Sequence, residues 1–154
     1  MAEKTVWGAN MQDDRKRNKV DNAYAFALGI ATYCFAICEW NAVWLAERLH
    51  PGYVSSVEPK QKTAGKIAKD LLRLVDAISD PALKTICLPA AADFQVLVRE
   101  RNALLPGKPG TATNGSQRLF RNGREWTAQG IEDFADSVTA CSLILKDILH
   151  NYLK

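Results

Sequence analysis

The 154-residue chain has only two histidines, His50 and His150, and only two methionines. It contains no P-loop, no GxGxxG and no HExxH, which removes the phosphate-cradling loops, dinucleotide folds and zincin sites that those patterns build. Six prolines and nine glycines are too few for a collagenous or low-complexity chain. With 47% hydrophobic and 24% charged residues, wholesale disorder is excluded as well. No internal repeat at solenoid periods is present. The four cysteines, Cys34, Cys38, Cys87 and Cys141, form no CxxC pair and have no histidine cluster beside them. Cys34 and Cys38 stand one helical turn apart, a spacing that could share a metal, but further ligands are lacking. They read as reduced core residues of a cytoplasmic protein, with no metal and no cofactor expected.

What is present is a length suited to one domain with one sizeable core, spanning residues 1–154. Charge is unevenly spread. The formal net charge is +3, yet residues 97–126 alone hold six Lys/Arg against two Asp/Glu. Such a local basic patch suits an anionic partner, although a solvated basic loop has the same composition. From Asn22 to Cys38 run 17 uncharged residues behind the basic stretch Arg15–Lys19, the outline of a signal anchor. That run is short for a span, carries Asn22, Tyr24, Thr32 and Tyr33, and closes at Glu39. A buried core helix is the expectation, and no membrane partner.

The coarse organisation is helical. Residues 1–18 read as a polar arm, with Trp7 as its one anchor. Apolar residues recur at three- and four-residue steps from about Asp21 to Leu49 (Ala27, Ile30, Ala31, Cys34, Ile37, Cys38, Asn41, Leu45), predicting a long central rod that ends at His50-Pro51-Gly52. Tyr33, Phe35, Trp40 and Trp44 fall outside that stripe. A second helix is predicted from Lys60 or Thr63 to Ile78, with Lys60, Lys62, Lys66 and Lys69 as a solvated face. Asp80-Pro81 starts a third, running to about Leu104 with a kink near Pro89. Residues 107–126 predict an irregular loop followed by a two-stranded ribbon turning at Asn122-Gly123. Thr127 caps a last helix, with Glu132 and Asp133 placed in its first turn. The expected fold class is therefore all-α, a bundle of about four main helices with a small β-hairpin before the last.

The most informative segment for chemistry is Arg101-Asn102-Ala103-Leu104-Leu105-Pro106, where a helix ends on Arg-Asn inside the basic region. It resembles the HEPN superfamily, all-α proteins that often act as metal-independent ribonucleases of toxin and phage-defence systems. Their signature is Arg, four to six residues beginning with a polar one, then His. Arg101-Asn102 matches the start. Pro106 stands where the shortest spacing places His, and Gly107 and Lys108 occupy the longer spacings. In metal-free RNA cleavage the 2′-hydroxyl attacks the adjacent phosphate. Arginine suits the charge growing on phosphate oxygens, histidine suits the proton transfer, and proline can do neither. The resemblance implies an RNA-associated protein with a degenerate, weakened or inactive endoribonuclease site, and a protein antitoxin as a partner. Arg101 as a helix-end capping residue is the plainer alternative.

Glu39, a lone acid in an apolar helix, must be paired, solvated or neutralised. It is expected to meet Arg101 or Arg99, either as a catalytic carboxylate beside Arg101 and Asn102 or as a structural tie between two helices. Arg99, Lys108, Arg118, Arg121 and Arg124 are the candidate RNA contacts, with Arg118, Phe120 and Arg124 expected on one face of the ribbon. Exposed arginines that merely keep a hairpin soluble give the same pattern. The second apolar face of the long helix, together with the dimerisation common in HEPN proteins, predicts a homodimer. Tryptophans packed under the hairpin would also account for that face. A non-catalytic helical interaction protein, holding an acidic partner through its basic hairpin, is the alternative function.

Overall fold

The computed structural model describes residues 18–153. The polar arm and Trp7 lie outside the described residues, apart from Asn18. Among the described residues the chain is predominantly helical, with five helices and a three-stranded antiparallel sheet inserted before the last. Helix α1 (Asn22–Leu49) is capped by Asp21, whose carboxylate accepts the Tyr24 N–H at 2.8 Å. It stops where Pro51 cannot continue the hydrogen-bond ladder and Gly52 takes φ +94°. The Glu47 carboxylate fastens this turn, accepting the Gly52 and Val54 N–H groups at 3.0 and 2.8 Å. A one-turn helix α2 (Val54–Val57), which no periodicity announces, leads to α3 (Ala64–Asp76), capped by Thr63. Asp80 and Pro81 open α4 (Pro81–Leu104), which runs through Pro89 as one helix with that residue on its exposed side.

Helix α5 (Ala128–Asn151) starts at Thr127, whose hydroxyl accepts the Gly130 N–H at 2.9 Å. Glu132 and Asp133 fall beyond its first turn, which holds no acid, because the helix begins directly after the cap. Helices α1 and α5 make the largest contact in the molecule and run in the same direction. Tyr24 reaches the Trp126 carbonyl, Asn41 donates to the Ser142 hydroxyl at 2.8 Å, and Arg48 donates to the Leu153 carbonyl.

At the middle of the core, Phe35 lies between Phe94 of α4 and Phe134 of α5, with ring centroids 6.2 and 6.4 Å away. Phe35 is thus an inward residue, whereas Ile30 and Ile37 of the predicted stripe point outward. A helix apolar nearly all round carries no clear periodic signal of which face is inside. The α1 rod is consequently not central: its inner half is buried and its other half open.

The segment expected as irregular loop contains a strand. β1 (Lys108–Thr111) pairs with β2 (Gln117–Arg121), which pairs with β3 (Arg124–Trp126) across the Asn122-Gly123 turn. Asn122 and Gly123 both take positive φ, +52° and +74°, as a tight hairpin turn of this kind requires. Pro109 is accommodated because β1 is an edge strand, and Gly110 because a Cβ there would come within 3.0 Å of the Phe120 ring. Leu119 and Trp126 face each other and pack on the helical core. The tryptophan under the sheet is therefore Trp126, while Trp40 and Trp44 are exposed.

The lysine face of α3 also differs from expectation. Asp70 is buried and accepts hydrogen bonds from Tyr53 and Lys66, while Lys62 pairs with its carboxylate at 3.3 Å. The Lys62 ammonium lies 4.0 Å from the Tyr53 ring centroid. Burial works against the Asp70 charge, but the three donors outweigh it and hold the carboxyl below its ordinary value. Burial and the Asp70 carboxylate together push the Tyr53 hydroxyl well up.

Candidate functional site

The last turn of α4 carries Arg101 back toward α1, where it meets Phe35 and Glu39 in a cleft of about 110 Å³. Thr32 and Ala36 form the α1 side of the opening, Leu104 and Leu105 the α4 side, and Phe134 the floor toward α5. The guanidinium carbon of Arg101 sits 5.1 Å from the Phe35 ring centroid, in cation–π range. Its Nη1 donates to the Asn102 carboxamide oxygen at 3.2 Å, so the exposed Asn102 orients Arg101. The Nε of Arg101 is buried without a hydrogen-bond partner.

Glu39 and Arg101 share this cleft without forming a contact ion pair. Among the described residues, Asp70, Asp21 and Glu125 are the acids so engaged. Burial raises the Glu39 carboxyl above its ordinary value, and the Arg101 charge opposes that rise. A carboxyl raised by burial beside a cation has the chemistry of a proton-transfer group. The volume is far below that of pockets for whole ligands, about 300–1,000 Å³. It admits one small group, such as a single phosphate.

The five candidate RNA contacts are dispersed. Arg118 is drawn inward: its Nη1 meets Asp21 Oδ2 at 2.6 Å, its guanidinium lies 4.3 Å from the Tyr24 ring centroid, and its side chain is 14% exposed. Arg124 shares a face with Arg121 rather than with Arg118 and Phe120, because the two-residue turn pairs Arg121 directly with Arg124. Together they border a groove of about 630 Å³ between the end of α4, β3 and the start of α5, where Glu100, Glu125 and Asp133 also lie. Phe134 is a wall common to this groove and to the Arg101 cleft. Lys108 and Arg99 are both exposed, on β1 and α4.

Pro106 is exposed in the turn leaving α4. That turn is tight, since a Cβ on Gly107 would meet the Leu104 carbonyl oxygen at 2.9 Å and Leu119 Cβ at 3.0 Å. Neither histidine comes near. His50 lies eleven residues along α1 from Glu39, roughly 16 Å, and His150 sixteen residues along α5 from Phe134, roughly 24 Å. Among the described residues no three His, Cys, Asp or Glu side chains converge as a metal-ligand set.

Sequence reading missed Thr32 and Phe35 as cleft residues; their one signal is a helical spacing of seven and four residues ahead of Glu39. The fold and site together define a predominantly helical protein with a small sheet and a cleft shared by Arg101 and Glu39. No protein-family model, no curated protein and no solved structure matches the chain. Among the described residues two helices, α1 and α4, are long and apolar enough to cross a membrane by length and composition, although each buries one face in the core.

Proposed function

We propose that the chain is a HEPN-like, RNA-associated protein of a reducing cytoplasm, its four long helices forming one bundle. In this reading the Glu39/Arg101 cleft receives a backbone phosphate, and the site has weak or no endoribonuclease activity. One observation carries the reading. Arg101, the first residue of the motif, lines a small cleft with its Nε unpartnered, together with a carboxyl whose proton affinity is raised. Four unpaired cysteines support the reducing compartment.

In the proposed chemistry the guanidinium neutralises charge developing on the phosphate oxygens as the RNA 2′-oxygen bonds to phosphorus. Glu39 takes the 2′-hydroxyl proton, and the 5′-oxygen leaves as a hydroxyl after receiving a proton from water. Pro106 supplies no such acid, so cleavage by this chain is slow at best. The strand continues past Phe134 toward Arg121 and Arg124, whose direct cross-strand repulsion an anion relieves.

The test is cleavage of single-stranded RNA in the presence of a chelator. Pro106→His is expected to raise the rate by about 10²- to 10⁴-fold, the usual worth of a positioned proton-transfer group. Adding Arg101→Ala to that variant should abolish the gain. RNA binding without cleavage by either chain would leave a binding protein. Absence of both would move the function to the acidic-partner reading, which the exposed Arg121/Arg124 turn favours.

A further inference from the structure

The outward half of α1 carries six large apolar side chains, Phe26, Ile30, Tyr33, Ile37, Trp40 and Trp44. Their spacing is four, three, four, three, four, so they form one straight stripe about 27 Å long on the side opposite Phe35. Phe26 and Tyr33 are 70% and 69% exposed, and the other four more than two-fifths. A helix face turned to water ordinarily carries charge. Here every charged group of α1 is used elsewhere: Glu39 in the cleft, Glu47 on the Gly52 and Val54 amides, Arg48 on the Leu153 carbonyl. Small residues border the stripe, and a Cβ at one of them, Gly29, would meet nothing within 4 Å.

We infer that this stripe is the seam of a homodimer, in which α1 packs antiparallel against α1 of a second copy. The inference stands independently of the RNA reading. At about 200 Å² for a large side chain, the six exposed portions amount to roughly 600 Å² per copy. That reaches the top of the range for patches on monomers and approaches the ~800 Å² per partner of a standard interface.

The order of residue sizes selects the antiparallel arrangement. A two-fold at residue 35 sets Phe26 opposite Trp44, Ile30 opposite Trp40 and Tyr33 opposite Ile37, so that bulk meets lesser bulk along the seam. The helix dipoles also oppose each other. A parallel pair would stack both tryptophans on their own copies at one end. A lipid surface is the weaker fit, because helices lying on membranes carry Lys and Arg beside the apolar face, whereas Ala25, Thr32, Ala36 and Asn41 flank this one and Arg48, one turn beyond Trp44, donates to the Leu153 carbonyl.

Sedimentation of the unsubstituted chain at tens of micromolar should give near twice the 17.1 kDa chain mass. Tyr33→Glu, at an exposed position, should keep the helical circular dichroism and weaken association by about 100-fold, since it places a charge in an apolar seam. Phe26→Cys chains mixed with Trp44→Cys chains should form a covalent dimer on oxidation. Phe26→Cys chains alone should not, because position 26 of one copy lies about 27 Å from position 26 of the other, beyond disulfide reach. A monomer at these concentrations, a dimer indifferent to Tyr33→Glu, or cross-linking of Phe26→Cys with itself would each overturn the inference. So would a chain that stays monomeric in solution but sediments with anionic phospholipid vesicles, which would assign the stripe to a membrane.

Discussion

Glu39 and Arg101 are coupled through a shared cleft rather than through a salt bridge, and this sets the sign of their effects. Burial raises the Glu39 carboxyl, so the folded chain holds that proton to a higher pH than the unfolded chain does. Stability from this group is present at low pH and is lost as pH rises from the ordinary value of 4.5 through the higher folded value. Glu39→Gln should therefore match the parent in thermal melts near pH 4 and exceed it at pH 7. A variant less stable at both would mean that the carboxylate is a required tie. Because the Arg101 charge holds the Glu39 value down, Arg101→Ala should shift the Glu39 titration, followed by NMR, to higher pH. An unmoved titration would mean that the two side chains do not share the cleft. Phe35 anchors the same region from below, and Phe35→Ala should cost about 3–5 kcal/mol in urea unfolding.

Between elements, two polar clusters join parts of the chain that no local pattern links. Tyr24 of α1 donates to the Trp126 carbonyl at 2.7 Å and accepts the Leu119 N–H at 3.1 Å, so one hydroxyl holds both β2 and β3 to the helix. Tyr24→Phe leaves two partly buried backbone groups unpaired and should cost about 1–3 kcal/mol, with faster hydrogen exchange at the Leu119 amide. Unchanged exchange there would show that Leu119 and Trp126 hold the sheet by packing alone. The second cluster ties the turn after α1 to α3 through Asp70. Its carboxyl is held low, so its contribution is present above 3.8 and lost as pH falls through the lower folded value. Asp70→Ala strands Lys62 and the Tyr53 hydroxyl. It should cost about 3–5 kcal/mol at neutral pH, and less in acid.

For the whole molecule, a net charge of +3 gives little long-range attraction for RNA, and Arg118 is already used internally. Binding through Arg101, Arg121 and Arg124 alone would release few counterions. The logarithm of affinity should fall with the logarithm of salt concentration with a slope of about −2 on single-stranded RNA. Arg124→Ala should lower the slope by about 0.7. A slope steeper than about −4 would bring in further cations, Lys108 and Arg99 first. The open stripe on α1 belongs to this scale as well, since its six large apolar side chains are left uncovered by the other described elements.

Local chemistry was legible in the residue order. Asp21, Thr63, Asp80-Pro81 and Thr127 start their helices because each offers an oxygen, or a preset φ, at the one place where unpaired N–H groups need it. Asn122-Gly123 turns a hairpin because few other pairs accept two positive φ angles. Arg101 and Glu39 were recognisable as an arginine at a helix end and an isolated acid. Their meeting required α4 to fold back on α1. The third strand, the internal ties of Arg118 and Lys62, and the exchange of Phe35 inward for Ile30 and Ile37 outward were decided by tertiary structure. Arg118 and Phe35 find their partners about 60 to 100 residues away, β1 and Lys62 find theirs nearby in contacts that no periodicity marks, and a helix apolar on every side has no preferred face until something packs against it.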